Sequence, residues 1–175
     1  MTPKPQSQDV MHFIKTYLYN STNYKFDDGT TQAINVPYPD SGVYENYILN
    51  YPDATSVEML AMNIDQLYSE DVGLTDPRMA RAYEYIYEER HPPTNTSTNV
   101  LITVGKDSLD VSDGSASYYL QHLQVKYGFR SLVVSIGPNW SSLQDLAESK
   151  DWYFKATDDN GQWVADQISR IICNL

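Results

Sequence analysis

The C-terminal half of the chain carries three short apolar runs: Val100–Val104 (VLITV), Leu132–Ile136 (LVVSI) and Trp152–Ala156 (WYFKA). Each is too short for a buried helix, and none alternates cleanly between apolar and polar residues. They read as strands buried on both faces. The first two stop at Gly105 and at Gly137-Pro138. Between and behind them apolar residues return at helical spacing: Tyr119, Leu120, Leu123 and Tyr127, then Leu143, Leu146 and Ala147, then Val164, Ile168, Ile171 and Ile172. Strands separated by helices imply crossover connections, and so a mostly parallel sheet with helices on both faces. In such α/β folds the ligand crevice lies at the carboxyl ends of the strands.

The N-terminal half is mixed. Residues 1–8 read as a polar, proline-containing leader, and residues 9–175 as one domain. Val10, Phe13, Ile14, Tyr17 and Leu18 share one helical face. Asn20–Thr30 is polar and ends in the turn Asp27-Asp28-Gly29. Thr31–Val36 and Val43–Leu49 read as two strands of an antiparallel hairpin, separated by Pro37, Pro39 and Ser41-Gly42. Ser56 fits the N-cap of a helix whose inner face is Val57, Leu60, Ala61, Ile64 and Leu67. After a loop, Pro77 opens another helix, with Met79, Ala82, Tyr83 and Ile86 inward. Residues 91–99 read as an exposed linker. The predicted order is α-β-β-α-α-β-α-β-α-β-α.

Composition excludes several classes. The 175 residues hold 23 Asp and Glu against 12 Lys and Arg, a formal charge of −11. A chain this acidic lacks the basic face that nucleic acids and anionic membranes require. No apolar run reaches the roughly 18 residues of a membrane-spanning helix, and MTPKPQSQD has no apolar signal core. A single cysteine, Cys173, makes neither an internal disulfide nor a cysteine-based zinc site. The 15 tyrosines against 4 phenylalanines suit half-buried helix faces and wet binding surfaces.

Catalytic motifs are absent: there is no nucleophile elbow, phosphate loop, dinucleotide glycine fingerprint or H-E-x-x-H. His12, His91 and His122 are far apart in sequence and read as ordinary surface residues. Asp107, Asp110 and Asp113 before Gly114 lack the alternate spacing of a calcium loop and read as a solvated helix entry. Glu88-Glu89 reads as a solvated helix end. Three N-glycosylation sequons begin at Asn20, Asn95 and Asn139, where chance alone supplies about two. All three fall between predicted elements or at their edges, where a glycan is tolerated.

The stretch Gln32–Leu67 resembles the second strand, hairpin, third strand and following helix of a von Willebrand factor type A domain. Gly73-Leu74-Thr75 before a helix resembles that family's G-x-T loop, and Asn99–Lys106 its fourth strand. Leu132–Gly137 resembles the fifth strand, and Trp152–Asp158 with the last helix the closing β-α unit. The resemblance covers residues 9–175. It implies a three-layer α/β fold, mostly parallel with one antiparallel edge strand. It also implies a site for a divalent metal, held by D-x-S-x-S after the first strand, a threonine and an aspartate. Thr75 matches the threonine, but Val104 stands where the aspartate is expected, and nothing in residues 1–9 matches D-x-S-x-S. Valine offers a hard cation no oxygen. The resemblance therefore implies a degenerate site with no bound metal or cofactor.

The resemblance also places the chain's start at the family's first helix, without the first strand. A fragment of a longer protein is the expectation that follows, the alternatives being a sheet that closes over the gap or a strand lent by a partner chain. A cysteine after the last helix pairs, in extracellular relatives, with one ahead of the first strand; the residues themselves equally allow Cys173 as a small buried apolar group.

The expected function is a non-catalytic protein-binding or adhesion module, extracellular or at the cell surface, with no nucleic-acid partner and no membrane insertion. Its candidate ligand rim is Thr75, Asp76, Asp107 and Trp140. The competing readings are a small α/β enzyme with a flavodoxin-like or Rossmann-like crevice, and a purely structural domain.

Overall fold

The three apolar runs become three parallel strands, β1 (Asn99–Lys106), β2 (Phe129–Ile136) and β3 (Tyr153–Ala156), in the order β1-β2-β3. The computed structural model describes residues 4–20, 31–38, 46–69, 79–92, 98–106, 114–137 and 142–175. The helices are α1 (Lys4–Phe13), α2 (Val57–Ser69), α3 (Ala80–Glu88), α4 (Ser115–Tyr127) and α5 (Gly161–Cys173). α1 runs straight into a π-helical turn, Ile14–Leu18.

Alternation along β2 builds a three-layer core. Leu132, Val134 and Ile136 join Val104, Phe154 and Ala156 beneath α1, its π turn and α5, where they meet Phe13, Leu18, Val164 and Ile168. Val133 and Phe129 turn to the other face, against Met79, Tyr83 and Ile86 of the α3 segment and Leu120, Leu123 and Tyr127 of α4. Leu132, Val133 and Val134 are fully buried. Each contributes about 1.5–3 kcal/mol by leaving water. Two polar contacts lie on the α3/α4 side: Tyr83 and Thr103 share a hydrogen bond of 2.7 Å between their hydroxyls, and Ser131 Oγ donates to the Leu146 carbonyl at 2.7 Å. Gly128 ends α4 at φ 68°, a left-handed conformation glycine adopts freely, and its N–H returns to Gln124 and Leu123.

The helix expectations for α2, α4 and α5 hold; α3 keeps the expected inner face but begins at Ala80, and Pro77, expected to open it, lies outside the described residues. Ser56 caps α2, its Oγ accepting from the Met59 N–H at 3.2 Å. α1 reaches back to Lys4, into the stretch read as a leader; Pro5 falls in its first turn, where a missing N–H costs nothing.

Other local expectations differ. Residues 31–36, expected as a strand, form neither strand nor helix. Of the expected partner, 43–49, residues 46–49 form no strand and 43–45 lie outside the described residues. Side-chain bonding replaces the ladder: Asn35 Nδ2 donates to the Leu60 carbonyl at 3.0 Å and to Asn63 Oδ1 at 3.2 Å. Asn63 Nδ2 donates to the Tyr47 carbonyl at 2.7 Å. Segment 142–146, read as helical, is a short 3-10 turn fixed to β2 through Leu146 and through Glu148 N–H to Ser131 carbonyl, 3.0 Å.

Candidate binding surface

β1, β2 and β3 end in register, with Lys106 beside Ile136 and Ile136 beside Ala156. Their carboxyl ends therefore form one rim, where an open parallel sheet places its ligand crevice. The described part of this rim is tied down by its own chain. Lys106 pairs with Asp9 of α1. The Gly137 N–H donates to the Ala156 carbonyl at 3.0 Å. Asn160 staples the turn that follows β3: its Oδ1 accepts from the Thr157 N–H at 2.7 Å, and its Nδ2 donates to the Lys155 carbonyl at 3.0 Å. The Tyr17 hydroxyl reaches the Asp158 carbonyl at 3.4 Å, and its ring lies over Gly161 at the start of α5.

Thr75, Asp76, Asp107 and Trp140 lie outside the described residues, as do Asn95 and Asn139. Asn20 is exposed just beyond the π turn, its Nδ2 donating to the Thr16 carbonyl at 2.7 Å. Val104 lies inside β1, opposite Val134, with 6% of its surface exposed and its side chain in the apolar layer under α1 and α5. Cys173 is the last residue of α5 and is exposed, so the expectation of a buried apolar group does not hold. The helix ends there, beyond the inward pair Val164 and Ile168. Among the described residues no three His, Cys, Asp or Glu gather as a metal cluster. No described helix is long and apolar enough to cross a membrane.

A second surface, on α3 and α4, was not assigned from sequence. Tyr118 is 55% exposed and packs on His122, ring centroids 4.1 Å apart, and on Tyr119 at 5.3 Å. The Tyr119 hydroxyl donates to Glu84 of α3 at 2.6 Å. That bond, then desolvation, pushes its pKa up to about 12. His122 Nδ1 lies 2.9 Å from the Tyr118 carbonyl, so that nitrogen carries the proton. The signal for this face was the tyrosine count. Which tyrosines meet depends on how α3 packs against α4.

Known proteins place these features in context. No protein-family profile matches the chain. Two solved structures of proximal thread matrix protein 1 from the mussel byssus share its fold. One superposes with a TM-score of 0.69 at 17% identity, over 95% of this chain and 40% of the mussel chain. The other, whose metal-ion-dependent adhesion motif is occupied by zinc, gives 0.66 at 18% identity, over 93% and 40%. The chain thus spans about 40% of the mussel protein's length. At this identity the likeness establishes the fold, a von Willebrand factor A-like α/β fold. A protein of Caenorhabditis elegans, "Uncharacterized protein C18H9.6", is 70% identical over all 175 residues of both chains. The chain belongs to the family of this nematode protein.

Proposed function

We propose that this chain is a non-catalytic protein-binding or adhesion module of a secreted or cell-surface protein, and that it works without a bound metal. The observation that carries the reading is its fold, shared across 95% of its length with a matrix protein. Val104 supports the metal-free part. At the position where the resemblance calls for an aspartate, this chain presents a valine whose side chain belongs to an apolar layer. An aspartate ligand is thereby replaced by a group with no oxygen, and the residue present does not fit a hard cation. The sequons at Asn20, Asn95 and Asn139 support the secreted compartment.

In this reading a partner meets the carboxyl-end rim through Thr75, Asp76, Asp107 and Trp140, held by direct hydrogen bonds and packing. Tryptophan is enriched at binding hot spots. The test is to express the protein in nematode or insect cells, locate it, and identify bound proteins by cross-linking. Asp76→Ala, Asp107→Ala and Trp140→Ala are then compared for binding to the identified partner. Loss of at least tenfold in affinity for one of them supports the rim. Full binding by all three, each correctly folded, removes it. Confinement of the protein to the cytosol, with no glycan, removes the secreted assignment.

A further inference from the structure

At the far end of α4, a pair of rings already holds a cation. Tyr87 of α3 and Tyr127 of α4 lie 5.9 Å apart at 65°. The Lys126 ammonium sits 4.5 Å from the Tyr87 ring centre and 4.9 Å from that of Tyr127. Both distances fall within the roughly 6 Å over which a ring face attracts a cation.

The rings are braced without the lysine. His91 stacks on Tyr127 at 5.0 Å and 8°, and His122 meets Tyr87 edge-on at 5.8 Å and 88°. Tyr127 is buried in the α3/α4 layer, and its carbonyl accepts from Asn99 Nδ2 at 2.7 Å. Lys126 is different: it is exposed, in the last turn of α4, on a flexible stem. Two aromatic faces braced by neighbouring rings, with an exposed cation over both, have the geometry by which proteins recognise ammonium groups.

We propose that Tyr87 and Tyr127 form a binding site for an alkylammonium group, with Lys126 as a built-in occupant that the ligand displaces. The formal charge of −11 enriches cations around the chain and favours such a ligand. The site lies by the amino ends of β1 and β2, at the opposite end of the sheet from the rim, so it stands or falls independently of the protein-binding reading.

The ammonium could belong to a free quaternary amine or to a partner's lysine, and the test separates them. The full chain and its Lys126→Ala variant are titrated with tetramethylammonium chloride and with N-acetyl-lysine methylamide, against sodium chloride at equal ionic strength. Tyrosine ring signals are followed by NMR. Removing Lys126 is expected to tighten binding by roughly two- to fivefold, the strength of one exposed cation–ring contact. Tyr87→Leu or Tyr127→Leu, added to Lys126→Ala, is expected to abolish it. Saturation by both ligands assigns the site to lysine and free amines alike; saturation by tetramethylammonium alone assigns it to quaternary amines. The proposal is overturned if neither ligand saturates in Lys126→Ala, if that variant binds no tighter than the parent, or if both leucine variants, melting as cooperatively as the parent, bind unchanged.

Discussion

The Tyr38 hydroxyl donates a 2.5 Å hydrogen bond to the backbone carbonyl of Val104. Among the described residues β1 has a strand neighbour only on the β2 side. A side chain 66 positions away thus satisfies backbone of a strand whose other edge has no described ladder. Burial holds the Tyr38 phenol well above its usual pKa, so it remains a donor throughout the physiological range. Tyr38→Phe keeps the ring and removes the donor, leaving the carbonyl of a residue that is 6% exposed without this partner. The expected cost is about 1–2 kcal/mol, read as a lower urea midpoint at unchanged slope. An unchanged midpoint would show that the bond contributes nothing net.

Gly161 is needed where Tyr17 closes over the start of α5. A Cβ at that position would overlap the Tyr17 ring, 2.9 Å from Cζ and nearer still to the ring edge. The backbone there is ordinary helix, so the constraint is steric and not conformational. Gly161→Ala should therefore destabilise, by about 1–3 kcal/mol, despite alanine's better helix propensity. Gly161→Ala combined with Tyr17→Ala should recover part of the loss. A double variant no more stable than Gly161→Ala alone would contradict this origin.

The metal-free reading gives a calorimetric prediction. Mg²⁺ and Mn²⁺ titrated into the chain should produce no heat beyond dilution, because Val104 cannot ligate a hard cation. A saturable site of micromolar affinity that disappears in Thr75→Ala would sink this reading.

The sheet was legible because strands buried on both faces leave nearly continuous apolar runs, and Leu132–Ile136 could hardly fold otherwise. α2 and α3 were legible from the 3.6-residue spacing of Leu60, Ile64 and Leu67, and of Met79, Ala82, Tyr83 and Ile86. Residues 31–36 misled because hydropathy cannot show that Asn35 bonds to Leu60 and Asn63, or that Asn63 is itself buried. The Tyr87–Tyr127 pair was invisible for another reason: its members are 40 positions apart and meet only when α3 and α4 pack. Tyrosine composition signalled a wet aromatic face, but its location is a tertiary property.

That face and the core together predict an uneven tyrosine titration. Burial raises the phenols of Tyr38, Tyr83 and Tyr19 well above their ordinary range and pushes Tyr51 up to about 12. The bond to Glu84 pushes Tyr119 up to about 12. In an unfolded chain each would lose its proton near pH 10. The fold therefore favours the protonated form, and the linked stability is whole below about pH 10 and lost as pH rises towards 12 and beyond. Absorbance at the phenolate band should show part of the tyrosine signal of the folded protein withheld beyond about pH 10, where the unfolded chain has ionised. These five should follow only at higher pH or on unfolding, and the melting temperature should fall across the same window. Glu84→Ala should return Tyr119 towards its ordinary range without moving Tyr83, whose phenol is raised by burial against the opposing effect of its bond to Thr103. A native titration in which all 15 tyrosines share one midpoint near 10 would show that the fold does not hold these protons.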